Sequence, residues 1–208
     1  MKVGILGGTF DPIHSAHLEM AREAADRYSL DRVLFVPAGN PPHKHTGTPY
    51  EHRYRMVELA CAADPRFVPS RIEEGVRKSY SIHTIERVKA DGGDVFFLIG
   101  SDAFAEIQTW HRWEDLVRYA HLAVANRPGS DLDPAAMPDA LKHLFQSHQS
   151  ADMAALRDRL AGHIVSFNMT PCAVSATQIR AALRQGRPIT ALVSVPVEKY
   201  IQQHHLYT

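Results

Sequence analysis

The sequence predicts an α/β fold, a doubly wound parallel sheet with helices on both faces. Three observations carry that expectation. Short aliphatic runs without polar alternation recur along the chain, as in strands covered on both faces. Stretches with apolar residues at helical spacing separate them. The order strand, helix, strand repeats, which a parallel sheet with right-handed crossovers requires.

Taken in order, Val3 to Leu6 is the first strand run, and the corner Gly7-Gly8-Thr9-Phe10-Asp11-Pro12-Ile13-His14-Ser15-Ala16-His17 follows it. Leu18, Ala21, Ala25 and Tyr28 then share one helical face. Val33 to Val36 is the second run, and Pro37 to Lys44 the loop beyond it. A second helix carries Tyr54, Val57, Ala60 and Cys61, Phe67-Val68 is a short third strand, and Ile82, Ile85 and Val88 mark a third helix. Val95 to Ile99 is the fourth run, closed by Gly100-Ser101-Asp102. Trp110 and Trp113, three apart, read as one helical turn. Leu122 to Ala125 and Ile164 to Phe167 complete the strands. Between them the rhythm breaks at 128–162, rich in Asp, Ala, Pro and Ser, with a modest surface helix expected over 153–160. Two helices end the sequence: one capped by Ser175 with Gly186 at its far end, the other, around Val195 to Ile201, carrying Pro196 near its start. The expectation is a single domain over 1–208 with a variable insertion at about 130–162.

Composition narrows the function classes. With 208 residues and 45% apolar content, the chain can bury one good core. Lys plus Arg equals Asp plus Glu at 23 each, so net charge attracts no polyanion and no nucleic-acid partner is read. A small anionic substrate stays open. Cys61 and Cys172 offer no disulfide framework, and Cys61, inside a helical stretch, reads as a small buried hydrophobe. No signal-peptide core and no run of about 18 apolar residues occurs. The expectation is a soluble cytoplasmic protein without a membrane partner; a homo-oligomer is left open.

Chemistry concentrates at two helix starts. Gly7 and Gly8 let the backbone turn and come close to a ligand, and a helix N-terminus offers unpaired N–H groups with about half a positive charge. His14 and His17 then share the face of the first turn and point at whatever those groups hold. Zinc is the competing use of the pair, with Asp11, yet closed zinc sites want four ligands and neither cysteine is near in sequence; no protein metal site is read. Ser175, Thr177 and Arg180 form the second cradle, with Arg180 three residues from Thr177. Lys44, after the stiff Pro41-Pro42 pair, supplies a further aimed cation. Two cradles suit a nucleoside triphosphate better than a monophosphate. No Gly-x-Gly-x-x-Gly, Walker or Gly-x-Ser-x-Gly motif is present, and no covalent nucleophile stands out. These parts bind and orient phosphates, as nucleotidyl transfer requires.

Gly-Gly-Thr-Phe-Asp-Pro-Ile-His-x-x-His at 7–17, Pro-Pro-His-Lys at 41–44, Gly-Ser-Asp at 100–102, Thr-Trp-His-Arg-Trp at 109–113, Ser-x-Thr-x-Ile-Arg at 175–180 and Val-Glu-Lys-Tyr-Ile at 197–201 together resemble the bacterial nicotinate mononucleotide adenylyltransferases. These belong to the nucleotidyltransferase superfamily with the His-x-x-His signature. The resemblance implies transfer of AMP from ATP to nicotinate mononucleotide, giving deamido-NAD and pyrophosphate, with magnesium carried by the ATP phosphates. It implies that His14, His17, Lys44 and Arg180 are catalytic. Gly7, Gly8, Thr9, Phe10, Gly100, Asp102, Ser175 and Thr177 would bind the nucleotide, and Ser81 and Trp110 the pyridine substrate. Ala16 stands where the family usually has glycine, Ala176 where it has a second serine, and Ser81 where threonine is common; each keeps a small side chain or a hydroxyl. Rival readings are a nucleotidyltransferase with another acceptor (phosphopantetheine, nicotinamide mononucleotide or a sugar phosphate) and a non-catalytic nucleotide sensor.

Overall fold

The structure, a computed structural model, describes residues 1–41, 47–126, 132–150, 156 and 160–208. Strands β1 (Lys2–Gly8), β2 (Arg32–Pro37), β3 (Phe67–Pro69), β4 (Asp94–Gly100), β5 (His121–Asn126) and β6 (Ile164–Asn168) form one sheet in the order 3-2-1-4-5-6. All of its pairings are parallel. Each predicted run became a strand, and those of β1, β2, β4 and β5 have side chains buried on both faces. Along β1, Val3 and Ile5 enter one core while Leu6 enters the other.

Helices α1 (Ser15–Tyr28) and α2 (Tyr50–Cys61), with α7 (Ala176–Arg184) and α8 (Val195–Gln203), cover one face. Leu18, Met56, Val57, Ile179 and Ile201 pack there on Leu6, Phe35, Leu98 and Val165. The opposite face carries α3 (Ser81–Ala90), α4 (Ser101–Ala105), α5 (Leu116–Tyr119) and α6 (Asp139–His148). Ile82, Ile85, Phe104, Leu116, Leu141 and Phe145 pack on Val3, Ile5, Phe97, Ile99 and Val124. The doubly wound arrangement is therefore as expected, and Cys61 is buried as expected.

Strand order reverses between β1 and β4, the place where open α/β sheets hold ligands. Pairing of β1 with β4 ends at Leu6 and Leu98, whereas pairing with β2 continues to Gly8 and Pro37. The two central strands thus part company at Gly7, and a crevice opens at their carboxyl ends.

Two expectations need correction. Trp110 and Trp113 do not share a helical turn. Trp110 follows the short 3-10 turn Ile107–Thr109 in extended backbone, and Trp113 opens a second turn, Trp113–Asp115, after Arg112 at φ 52°. Inside 128–162, which read as irregular apart from its last residues, helix α6 forms over Asp139–His148 and buries Leu141 and Phe145. The helix expected over 153–160 falls almost wholly outside the described residues. Among the described residues no helix is long and apolar enough to cross a membrane.

Candidate active site

The first element of the site is the corner between β1 and α1. Gly7 and Gly8 were expected to make the sharp turn, but they lie in the strand and neither has positive φ. Phe10 makes the turn instead, at φ 49°, a left-handed conformation that costs an ordinary L-residue about 1–2 kcal/mol. Its ring repays this by burial, to 2% exposure, edge-on to His17 with centroids 5.0 Å apart. The glycines serve by what they lack. A Cβ on Gly7 would meet nothing nearer than Phe97 at 4.0 Å, so the backbone there faces open space, while one on Gly8 would press on the Phe10 ring at 3.1 Å.

His14 is the N-cap of α1 in extended backbone and His17 is its third residue. Their rings stack with centroids 3.7 Å apart. The His14 backbone N–H donates to His17 Nδ1 at 3.2 Å, so the His17 ring carries its proton on Nε2 and presents a donor from that edge. His14 is buried and His17 half-buried. The two rings thus share the first turn of α1, the placement their spacing predicts.

The second helix start lies beside the first. Ser175 caps α7 through a reciprocal box: its Oγ accepts from the Gln178 N–H at 3.3 Å, and the Gln178 carboxamide accepts from the Ser175 N–H at 3.0 Å. Arg180 reaches from α7 to donate to the Asp11 carbonyl at 2.6 Å and to Thr177 Oγ1 at 3.4 Å. Ser15 Oγ and Cys172 Sγ meet at 3.5 Å. Two cradles separated by some 160 residues of sequence are thereby joined at one corner.

Two groups that sequence reasoning did not single out, one buried and one half-buried, support the corner. Arg53 of α2 is 1% exposed and donates to the carbonyls of Thr9 at 2.7 Å, Ala38 at 2.9 Å and Thr48 at 3.2 Å. Burial lowers its pKa below the usual guanidinium value, and the Asp11 carboxylate opposes that shift. Tyr207 Oη donates to Asp11 Oδ1 at 2.6 Å. Burial, then this hydrogen bond, pushes the Tyr207 phenol well above its ordinary pKa. No sequence signal distinguishes Arg53 from a solvated arginine, because its helix has cations on several faces.

A third group forms on the β4 side. Ser81 opens α3 directly after Tyr80, and the Tyr80 ring packs on His111 with centroids 4.5 Å apart. His111 is the chain neighbour of Trp110, whose ring meets Phe97 edge-on at 6.1 Å. The segments holding Ser81 and Trp110 are thus brought together by two aromatics that sequence reasoning passed over. Gly100 ends β4, and Asp102 is exposed in the first turn of α4. A cavity of about 690 Å³ adjoins this group, lined by Ile72, Val76, Lys78, Ser79, Tyr80 and Arg87 among others. It does not include the His pair. Its wall is tied to the loop after β2, since Asn40 donates from its N–H to Ser79 Oγ at 3.0 Å and from its side chain to the Arg77 carbonyl at 2.6 Å. Lys44 lies outside the described residues. Among the described residues no group of three or more His, Cys, Asp or Glu side chains converges to hold a metal.

Residues 5–182 match the cytidylyltransferase-like family. The chain is 44% identical to a probable nicotinate-nucleotide adenylyltransferase of Solibacter usitatus, with all of both chains covered. It is 41% identical to a protein of the same name from Dechloromonas aromatica, covering 99% of this chain and 97% of that one. Among solved structures, the nicotinic acid mononucleotide adenylyltransferase of Plasmodium falciparum, complexed with NaAD, superposes with a TM-score of 0.75 at 17% identity. That match covers 99% of this chain and 97% of the other.

Proposed function

The chain belongs to the cytidylyltransferase-like family, and within it to the nicotinate-nucleotide adenylyltransferases, and from that premise we infer that it transfers AMP from ATP to nicotinate mononucleotide. The products are nicotinate adenine dinucleotide and pyrophosphate, a step of NAD biosynthesis. The single observation that carries the reading is the meeting of two helix starts and a stacked His pair at one strand end. Such an arrangement suits a polyanion whose charge shifts during reaction.

On this reading an oxygen of the acceptor's 5′-phosphate attacks the α-phosphorus in line. A new P–O bond forms, the bond from α-phosphorus to the bridging oxygen breaks, and pyrophosphate leaves with that electron pair. Catalysis is then positioning and charge stabilisation. Backbone N–H groups at Gly8, Thr9 and Phe10, beside Gly7, line the triphosphate. His17 donates from Nε2 and His14 acts beside it. Ser175, Thr177 and the remaining N–H groups of Arg180 close the other side, with Lys44 as a further cation. Gly100 and Asp102 take the nucleoside side, Asp102 as a ribose contact. Ser81 and Trp110 hold the pyridine, one at a helix start and one by its ring face. Magnesium, carried on the triphosphate oxygens, would neutralise charge there; a chain without a convergent acidic cage among its described residues fits an ion that keeps its waters and phosphate ligands.

Incubating the protein with ATP, magnesium and each of nicotinate mononucleotide, nicotinamide mononucleotide, phosphopantetheine and a sugar phosphate, and measuring pyrophosphate, tests the reading. Release should be fastest with nicotinate mononucleotide. ATP binding with no release under any acceptor would instead support a nucleotide sensor.

A further inference from the structure

We propose that Arg53 and Tyr207 are positioning residues of the transfer reaction, holding the loop 9–11 in its working shape through Thr9 and Asp11. The proposal rests on the reading of that loop as the triphosphate contact.

The Arg53 fork donates to carbonyls from three segments: Thr9 after β1, Ala38 after β2 and Thr48 ahead of α2. One planar group therefore sets the spacing of the two loops that border the crevice. A planar trans peptide points its carbonyl and the following N–H in opposite directions. The Thr9–Phe10 peptide is not cis, so drawing the Thr9 carbonyl onto the buried guanidinium turns the Phe10 N–H away from it. Arg53 thus aims a donor that it does not itself carry.

Tyr207 acts on the next residue. Its hydroxyl donates to the Asp11 carboxylate at 2.6 Å while Arg180 donates to the Asp11 carbonyl at 2.6 Å. Asp11 is held at both its backbone and its side chain by groups from the far end of the sequence. Phe10, the left-handed residue, sits between the two anchored positions. If packing alone were at stake, an apolar side chain at position 53 would serve as well or better, since buried ionic groups are often no gain in stability over apolar ones. A charge spent on loop carbonyls is instead a means of fixing geometry.

Tyr207→Phe removes one hydroxyl at nearly constant volume, and Arg53→Lys keeps the charge without the fork. Pyrophosphate release at saturating ATP and nicotinate mononucleotide is measured per folded molecule, well below the melting transition. Each variant should lower kcat about tenfold. In an Asp11→Ala background, Tyr207→Phe should lower it by less than about twofold further, because the shared contact is already lost. A kcat within twofold of wild type for folded Tyr207→Phe, or for folded Arg53→Lys should the former misfold, overturns the proposal. So do fully multiplicative losses in the double variant. Wild type is assayed alongside: its failure to release pyrophosphate would count against the transfer reading itself, whereas active wild type with wild-type-like variants counts against positioning alone.

Discussion

An imidazole that accepts a backbone N–H at Nδ1 is committed to one tautomer, and at His17 that commitment leaves the donor on Nε2. Stacking at 3.7 Å holds the two rings at the helix start, with Phe10 edge-on to His17. Donors preset in this way need no reorganisation as charge develops on phosphate oxygens. We expect His14→Ala and His17→Ala each to lower kcat about a hundredfold, measured as pyrophosphate release by variants with wild-type circular dichroism. Turnover near wild type in a folded variant would remove that histidine from the mechanism. Gly39 offers a residue-scale test of the loop geometry. A Cβ there would stand 1.8 Å from the Glu73 carbonyl oxygen, so Gly39→Ala forces backbone apart where Asn40 staples the two loops. Overpacking of this kind costs about 1–3 kcal/mol, to be read from urea unfolding; an unchanged midpoint would contradict the close approach.

Among the elements, α7 is the one whose ends were written most plainly in the sequence. Ser175 and Gln178 form the capping box that the spacing allows. Ser175→Ala should cost about 1 kcal/mol, seen as a melting-temperature loss of about 2–4 °C for a chain of this size. Legibility elsewhere followed burial. The runs of β1, β2, β4 and β5 could be read because they are covered on both faces, which keeps polar residues out of their interiors, whereas β6 kept an exposed Ser166 and was read from its flanking apolar residues. Helix α6 escaped notice because only Leu141 and Phe145 are buried within a stretch of Asp, Ser and Pro. The tryptophan segment misled because a spacing of three fits a helical turn, whereas Arg112 in left-handed backbone divides it into two. Arg53 and Tyr207 were illegible for a different reason. Their partners are loop carbonyls and a carboxylate, from five positions away at Thr48 to 196 at Asp11, and no local pattern announces such contacts.

At the scale of the molecule, sheet order determines where chemistry can occur. The parting of β1 from β4 after Leu6 and Leu98 opens the crevice, and α1, α7 and the loop after β2 converge on its edge. The corner motif and the Ser175 to Arg180 motif were both visible in the sequence, but only the fold shows them bound to each other through Arg180 and Asp11. Burial of ionisable groups in the core also sets a limit on stability at high pH. Burial pushes Cys61 up from 9.0 to about 12, with Glu58 adding to it. Burial likewise raises Tyr28 from 10.0 to about 12. A group whose folded pKa is raised stabilises the fold fully below its unfolded pKa, and that contribution is lost as pH rises through the folded value. Melting temperature should therefore hold up to about pH 9 and fall progressively between about pH 9 and 12. Cys61→Ala should flatten the start of that decline, and an unchanged decline would show that the thiol does not contribute. The central claim, adenylyl transfer to nicotinate mononucleotide, is tested most directly by following isotope from ATP labelled at the α-phosphorus in one reaction and at the γ-phosphorus in another. The account predicts that α-label appears in nicotinate adenine dinucleotide and γ-label only in pyrophosphate; γ-label on the acceptor, or no labelled dinucleotide at all, would contradict it.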